Sequence, residues 1–338
     1  MIDRLIDANA NRAAEGLRVL EDIARFVFDD ARQSTAAKEL RHRLRLAVPP
    51  GAVAWRDTAG DVGTAITAPG EMVRARLTDL IRANAARVQE ALRAAEEGAK
   101  LAGHGSAAAT LESVRYDSYR LESALLSRLP GWQLLRVRVY ALVDTSLTDR
   151  PEQVAEAVAR GGVGAVQLRA KGLAPRAYLD LAQRVQEAAR RGGALFIVND
   201  HVAIARAILA DGIHVGQDDL PVAAVRAVVG PCCAIGLSAH TREQAIQAQR
   251  DEADYLGLGP MFATTTKPLE PERGPVLLDA VKPLLDRPSY AIGGLTPERI
   301  ADLKARLPHG VAVAGFLCRA ADPERAAAEL VELVGGAD

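Results

Sequence analysis

In the stretch "QLRAK" the polar side chains alternate as Gln167, Arg169 and Lys171, leaving two cations on one side of an extended chain, a set suited to a highly charged anion. "VNDH" follows with Asn199 and Asp200, and "GQDD" with Asp218 and Asp219. A carboxylate from each makes a Mg2+ site in outline, because that ion takes one or two carboxylates and completes its shell with water and substrate phosphates. Cations beside Mg2+ imply a diphosphate. Further on, "GLSAHT" presents Ser238 and His240, and "GLGPMFATTTKP" presents Thr264, Thr265, Thr266 and Lys267, a run of hydroxyls closing on an ammonium that can grip a phosphoryl group. The glycines of "AIGGL" and "AVAGF" offer a second anion site through backbone N–H groups. Two anion sites, one with a metal, describe an enzyme that brings a diphosphate substrate to a monophosphate substrate. No strong nucleophile–base dyad is visible, and His201 and His214 read as loop or core imidazoles. Diphosphate departure needs little beyond Mg2+, cations at the leaving group and an aligned acceptor.

The elements that must hold these residues begin at Val137. Eight short apolar runs, "VRVYALV", "AVQLR", "LFIV", "GIHVG", "CAIGL", "YLGLG", "YAIGG" and "VAVAG", alternate with amphipathic segments such as "PRAYLDLAQRVQEAARRGG". Runs apolar on consecutive residues suit strands covered on both faces. Eight alternating units over 137–338 predict a (β/α)8 TIM barrel, with the polar residues at its strand C-terminal ends.

The first half has a different period. Apolar positions recur at three- and four-residue spacing, so residues 1–129 predict an all-α helical bundle, with residues 130–136 as linker. "IDANANRAAEGLRVLEDIARF" from Ile6 and "IRANAARVQEALRAAEEGAKL" from Ile81 agree at ten of twenty-one positions. Asn9 falls on the apolar face beside Leu20 and Val27, where an amide is costly unless paired, and Asn84 repeats it; Arg12 and Arg87 repeat beside the stripe. Packed by those stripes, the two helices would bring two amides and two guanidiniums into one dry cleft suited to a phosphate. The interruption "PPGAVAWRDTAGDVGTAITAPG" then supplies a phosphate-contacting loop through Arg56, Asp57, Gly60, Asp61 and Gly63. The competing structural reading is a duplicated helical hairpin whose Asn and Arg pair with Glu15, Glu90 or Asp22 across the bundle, and the rival function is a non-catalytic dimerisation or docking module, as in a homo-oligomer.

Composition sets the limits. The 338 residues suit two domains, and 42 basic against 43 acidic residues, a formal charge of -1, give no field to recruit nucleic acid or an anionic membrane. Three cysteines without metal-ligand spacing suit a reducing compartment, and no apolar run approaches the ~20 residues of a membrane span, so a soluble cytoplasmic enzyme of small-molecule substrates is expected.

From about Tyr140 the ordered set "QLRAK", "ND", "GIHVGQDD", "LSAHT", "GLGPMFATTTK" and "AIGGL" resembles the thiamine-phosphate synthase family. The resemblance implies a transferase in thiamine biosynthesis: hydroxymethylpyrimidine diphosphate loses pyrophosphate, and the nitrogen of hydroxyethylthiazole phosphate, or of its carboxylated form, captures the pyrimidine carbocation. It implies that Gln167, Arg169, Lys171 and Asn199 hold the pyrimidine diphosphate, and that Asp200 and Asp219 ligate Mg2+. Ser238 and Lys267 would contact the departing pyrophosphate. Thr264, Thr265, Thr266 and Gly294 would meet the thiazole phosphate. Where the family usually has an aliphatic residue and a serine after strand eight, this chain has Ala314 and Gly315, which implies phosphate binding with one hydroxyl fewer. A related barrel family tautomerises a thiazole, with His240 as its candidate base here. The first half, through "DANANRAAEGLRVLED", "RDTAGDVGT" and "RANAARVQEALRAAEE", resembles a helical domain described as an alternative hydroxymethylpyrimidine phosphate kinase, which implies ATP as phosphoryl donor. No G-x-x-x-x-G-K-[ST] loop accompanies it.

Overall fold

The computed structural model describes residues 2–49, 76–263 and 274–335. The chain forms two compact units, Met1–Arg128 and Leu129–Asp338. The expected loop residues Arg56, Asp57 and Asp61, and Thr264, Thr265, Thr266 and Lys267, lie outside the described residues.

Among the described residues the first unit has four long helices, α1 (Ile2–Asp22), α2 (Ala31–Ala47), α3 (Leu77–Leu101) and α4 (Gly105–Leu126). Its duplication reaches further than the sequence repeat. The buried positions of α1 reappear in α3, Ile6 as Ile81, Ala13 as Val88, Leu17 as Leu92 and Glu21 as Glu96, while Ala37, Leu40 and Leu44 of α2 correspond to Leu111, Val114 and Ser118 of α4. Each half buries a glutamate against an arginine of its second helix: Arg41 Nη2 reaches Glu21 Oε2 at 2.8 Å, and Arg115 Nη2 reaches Glu96 Oε2 at 3.1 Å.

Asn9 and Asn84 are buried, as the helical wheel requires, but each amide donates to the carbonyl four residues back, Leu5 and Leu80, both at 2.9 Å. That local bond offsets the cost of burying the donor. The two amides do not face each other. Gly98 lies against Ile2 and Ile6 whereas Gly16 lies against Val88 and Asn84, so α1 and α3 run antiparallel. Asn9 sits seven residues before Gly16, a separation of about 10 Å along the axis at ~1.5 Å per residue. Arg12 and Arg87 are exposed, Arg12 Nη1 lying 3.5 Å from Asn9 Oδ1 on its own helix, so among the described residues the expected dry cleft lined by both pairs is not seen. Val27 also departs from its expected place: residues Ile23–Val27 wind as a π-helix, which shifts the phase and leaves Val27 exposed.

Glu96 is fully buried and accepts from Lys100 at 2.6 Å, Arg93 at 2.9 Å and Arg115 Nε at 3.1 Å. Burial pushes its carboxyl up, but the hydrogen bonds from Lys100 and Arg115 outweigh that and hold it below the usual carboxylate value. A depressed folded-state pKa contributes stability above the unfolded value of about 4.3 that is lost as pH falls through the folded value. We expect Glu96→Gln to cost about 3 kcal/mol at pH 7 and to flatten the loss of stability below about pH 4.3, read by urea unfolding of the full chain. An unchanged acid limb would place the acid sensitivity elsewhere.

In the second unit eight parallel strands close in order: β1 (Val139–Asp144), β2 (Ala165–Arg169), β3 (Leu195–Asn199), β4 (Gly212–Val215), β5 (Ala234–Ala239), β6 (Tyr255–Leu258), β7 (Ser289–Ile292) and β8 (Gly310–Val313). Helices follow the strands around the outside, so outward residues such as Val166, Phe196 and Ile235 are buried under them and the strands read as apolar on both faces. The barrel floor is aromatic: Tyr140, Tyr255 and Tyr290, half of the six tyrosines, meet with ring centroids 5.3–6.0 Å apart. The expected linker belongs to this floor. Pro130–Gln133 forms a short helix and Leu134–Arg136 a 3-10 turn, with Leu134 fully buried and its carbonyl accepting from Tyr290 Oη at 2.9 Å.

Candidate active site

A cavity of about 850 Å3 opens at the strand C-terminal ends. The pleat that sends alternate residues inward brings Gln167, Arg169, Asn199, Ser238 and Gly294 to its wall, with Lys171, Asp200, Asp219, Ala314 and Gly315 from the following loops. Every expected barrel residue within the described chain therefore lines one mouth.

Arg169 is held by Asp144, a buried carboxylate at the end of β1 that also accepts from the N–H of Ser146 at 2.9 Å and its hydroxyl at 2.7 Å. The sequence reading missed Asp144, although the inward alternation Tyr140, Leu142, Asp144 carries it to the rim. Asn199 is fixed from behind: its N–H donates to Tyr178 Oη at 3.4 Å, and that hydroxyl donates to the Leu168 carbonyl at 2.9 Å. Asp200 has φ of 62°, a left-handed conformation that turns the chain after β3. Its carboxyl lies above the ordinary value, first because it is buried and then because Asp219 confronts it, with Lys171 acting in the opposite sense. Asp219 Oδ2 accepts from the N–H of Gly216 at 2.7 Å, which fixes that turn. Two facing carboxylates with hard oxygen donors and mutual repulsion fit a divalent cation. Among the described residues no group of three or more metal-ligating side chains occurs.

The opposite rim is made by the turns after β7 and β8. Gly293 and Gly294 have φ of 103° and 63°, and a Cβ on Gly294 would stand 2.7 Å from the Ala263 carbonyl, so only glycine lets this turn close. Arg299, another residue the sequence reading missed, donates to the Gly294 carbonyl and stacks over Phe262 at 4.6 Å. Arg299 and Arg319 line this side of the cavity.

His214, on β4, is half-buried in the barrel and has a partner at each ring nitrogen. Its Nε2 is 3.0 Å from Ser238 Oγ and its Nδ1 is 3.3 Å from Tyr255 Oη. Tyr255 Oη is 3.2 Å from Tyr140 Oη, which accepts from Gln167 Nε2 at 2.6 Å. Two glycines make room for it: a Cβ on Gly236 would fall 2.1 Å from Tyr255 Cζ and 2.5 Å from His214 Nδ1, and one on Gly257 would fall 3.1 Å from His214 Cε1. His240 lines the mouth too, with Nδ1 against the Gly259 carbonyl and its backbone N–H donating to Gln244 at 2.7 Å.

A parallel (β/α)8 barrel whose mouth sets carboxylates and cations opposite a glycine-lined rim defines a phosphate-handling transferase of the TIM-barrel class. Comparison makes that specific. The family model described as thiamine monophosphate synthase matches residues 139–316, and the model of the ThiD2 family matches residues 4–124. The thiamine-phosphate synthase of Gloeobacter violaceus is 42% identical over 332 residues, 97% of this chain and 96% of that protein, and the one from Thermosynechococcus vestitus is 38% identical over 331 residues, 97% and 93%. Among solved structures, thiamine phosphate pyrophosphorylase from Pyrococcus furiosus matches with a TM-score of 0.55 at 27% identity, covering 60% of this chain and 98% of that one. The chain belongs to the thiamine-phosphate synthase family, and its first half carries a ThiD2 family domain.

Proposed function

We propose that the barrel joins hydroxymethylpyrimidine diphosphate to hydroxyethylthiazole phosphate, or its 2-carboxy form, giving thiamine phosphate and pyrophosphate, with CO2 as well from the carboxy form. The observation that carries the reading is the mouth itself, where Arg169, Lys171, Asp200 and Asp219 stand together beside Ser238 and across from the Gly293–Gly294 turn. Arg169, Lys171, Gln167 and Asn199 bind the pyrimidine diphosphate. Asp200 and Asp219 would hold Mg2+, which when bound neutralises diphosphate charge. As the C–O bond breaks, its electron pair leaves with the pyrophosphate, and donors such as Ser238 stabilise the charge that develops there. The thiazole nitrogen then supplies the pair for the new C–N bond, its phosphate held by N–H groups at Gly294 and Gly315.

The ThiD2 family domain supports the second activity, transfer of a phosphoryl group from ATP to hydroxymethylpyrimidine phosphate, whose product is the barrel's substrate. Incubating the full chain with Mg2+, pyrimidine diphosphate and thiazole phosphate should release one pyrophosphate per thiamine phosphate; thiazole conversion without pyrophosphate would identify an isomerase instead. Replacing the diphosphate by pyrimidine monophosphate and ATP should still give thiamine phosphate, with ADP. No ADP, together with concentration-dependent self-association, would make the helical unit a dimerisation module.

A further inference from the structure

We infer that His214, Tyr255 and Tyr140 are positioning residues that hold the Ser238 hydroxyl as a hydrogen-bond donor to the departing pyrophosphate. The inference rests on the proposed role of Ser238 and adds the device that orients it. The chain of contacts runs from Gln167 through Tyr140, Tyr255 and His214 to Ser238, and Gln167, Tyr140 and Tyr255 are at most 2% exposed.

Proton counting gives the chain a direction. Burial pushes both the Tyr140 and Tyr255 phenols upward, so each stays neutral with one proton to donate. Gln167 Nε2 donates to Tyr140 Oη, so the Tyr140 proton goes to Tyr255 and the Tyr255 proton goes to His214 Nδ1. A neutral imidazole that accepts at Nδ1 carries its proton on Nε2, where it donates to Ser238 Oγ. The Ser238 proton is then left for the mouth, where an anion with no protons of its own requires a donor. Reversing the chain would turn the Ser238 lone pairs outward and repel that anion. A doubly protonated imidazole would force the Tyr255 proton back toward Tyr140, and the Tyr140 proton against the Gln167 amide.

The backbone is shaped for this chain. Gly236 and Gly257 give up inward side chains on β5 and β6, and any Cβ at Gly236 would overlap both the Tyr255 ring and the imidazole. Gln217 Nε2 donates to the Ser238 carbonyl, so the serine is fixed at backbone and side chain alike.

A double-mutant cycle in the full chain tests the inference. Ser238→Ala should lower kcat for thiamine phosphate formation by roughly 10²-fold, the effect of one lost transition-state donor. Tyr255→Phe, which keeps the ring and removes the hydroxyl, should lower kcat by about tenfold with KM for the pyrimidine diphosphate nearly unchanged. In the Ser238→Ala background Tyr255→Phe should cost nothing more. His214→Gln, whose amide can replace the Nε2 donor, should retain more activity than His214→Leu at equal melting temperature. A Tyr255→Phe loss that multiplies the Ser238→Ala loss, or no loss from Tyr255→Phe alone, overturns the inference while leaving the synthase reading intact. An unaltered chain that makes no thiamine phosphate would instead overturn that reading.

Discussion

Asp219→Asn should slow thiamine phosphate formation by roughly 10³-fold and yet leave the metal-free protein as stable as the parent or more so. The two effects have opposite signs because the same carboxylate has two neighbours. Toward the substrate, Asp219 and Asp200 supply the two anionic ligands that the proposed Mg2+ needs, and an amide oxygen is a much weaker one. Toward the fold, Asp219 is the charge that confronts the half-buried Asp200 and, with burial, raises its carboxyl, so removing it removes a repulsion. The structural duty of Asp219 survives substitution, since an amide oxygen can still accept from the Gly216 N–H now bonded at 2.7 Å. Asp200→Asn should behave alike, as asparagine tolerates the left-handed φ of 62° at least as well as aspartate. Melting temperature measured with and without Mg2+ separates the roles without using activity. The parent should gain stability on adding the ion by mass action, and either variant should lose most of that gain. A variant that keeps the full Mg2+-induced shift would remove its carboxylate from the metal site.

The two acidic strand ends were legible in the sequence, though the choice of Asp219 over Asp218 came from the family resemblance, and the barrel that presents them was legible as well. Strands covered on both faces leave long apolar runs, and a polar residue at the end of such a run has few places to go but the mouth. Residues whose meaning lies across strands were not legible. His214 reads as core until β5 and β6 are placed beside β4, when Ser238 and Tyr255 come within hydrogen-bond distance of its two nitrogens. Gly236 and Gly257 look like ordinary strand glycines until the rings they accommodate are in place. In the helical unit the repeat of Asn9 at Asn84 correctly predicted equivalent faces. A helical wheel fixes a face and says nothing of the partner's direction, and the antiparallel packing of α1 on α3 carries equivalent residues to opposite ends of the seam. The α2 and α4 hairpin partners escaped because their kinship rests on buried positions and on Arg41 and Arg115, with few identities between them.

Arg169→Ala should show that one residue serves binding and folding separately. Its side chain is 14% exposed and is paired with Asp144, whose side chain is 2% exposed. Removing the guanidinium leaves that carboxylate with the Ser146 donors but without its cation, a loss of about 3 kcal/mol in unfolding free energy. It also removes a charged fork from the proposed diphosphate site, for which KM should rise roughly 10²-fold. Arg169→Lys should recover part of the stability and little of the binding, because an ammonium restores charge without two parallel donors. The decisive variant is Arg169→Ala combined with Asp144→Asn. With no buried anion left unpaired, its unfolding free energy should return most of the way toward the parent's, since replacing both members of a buried pair costs far less than breaking it. Its KM for the pyrimidine diphosphate should stay high. If the double variant regains binding along with stability, Arg169 acts only by neutralising Asp144, and the contact with the diphosphate belongs to Lys171 and the other groups of the mouth.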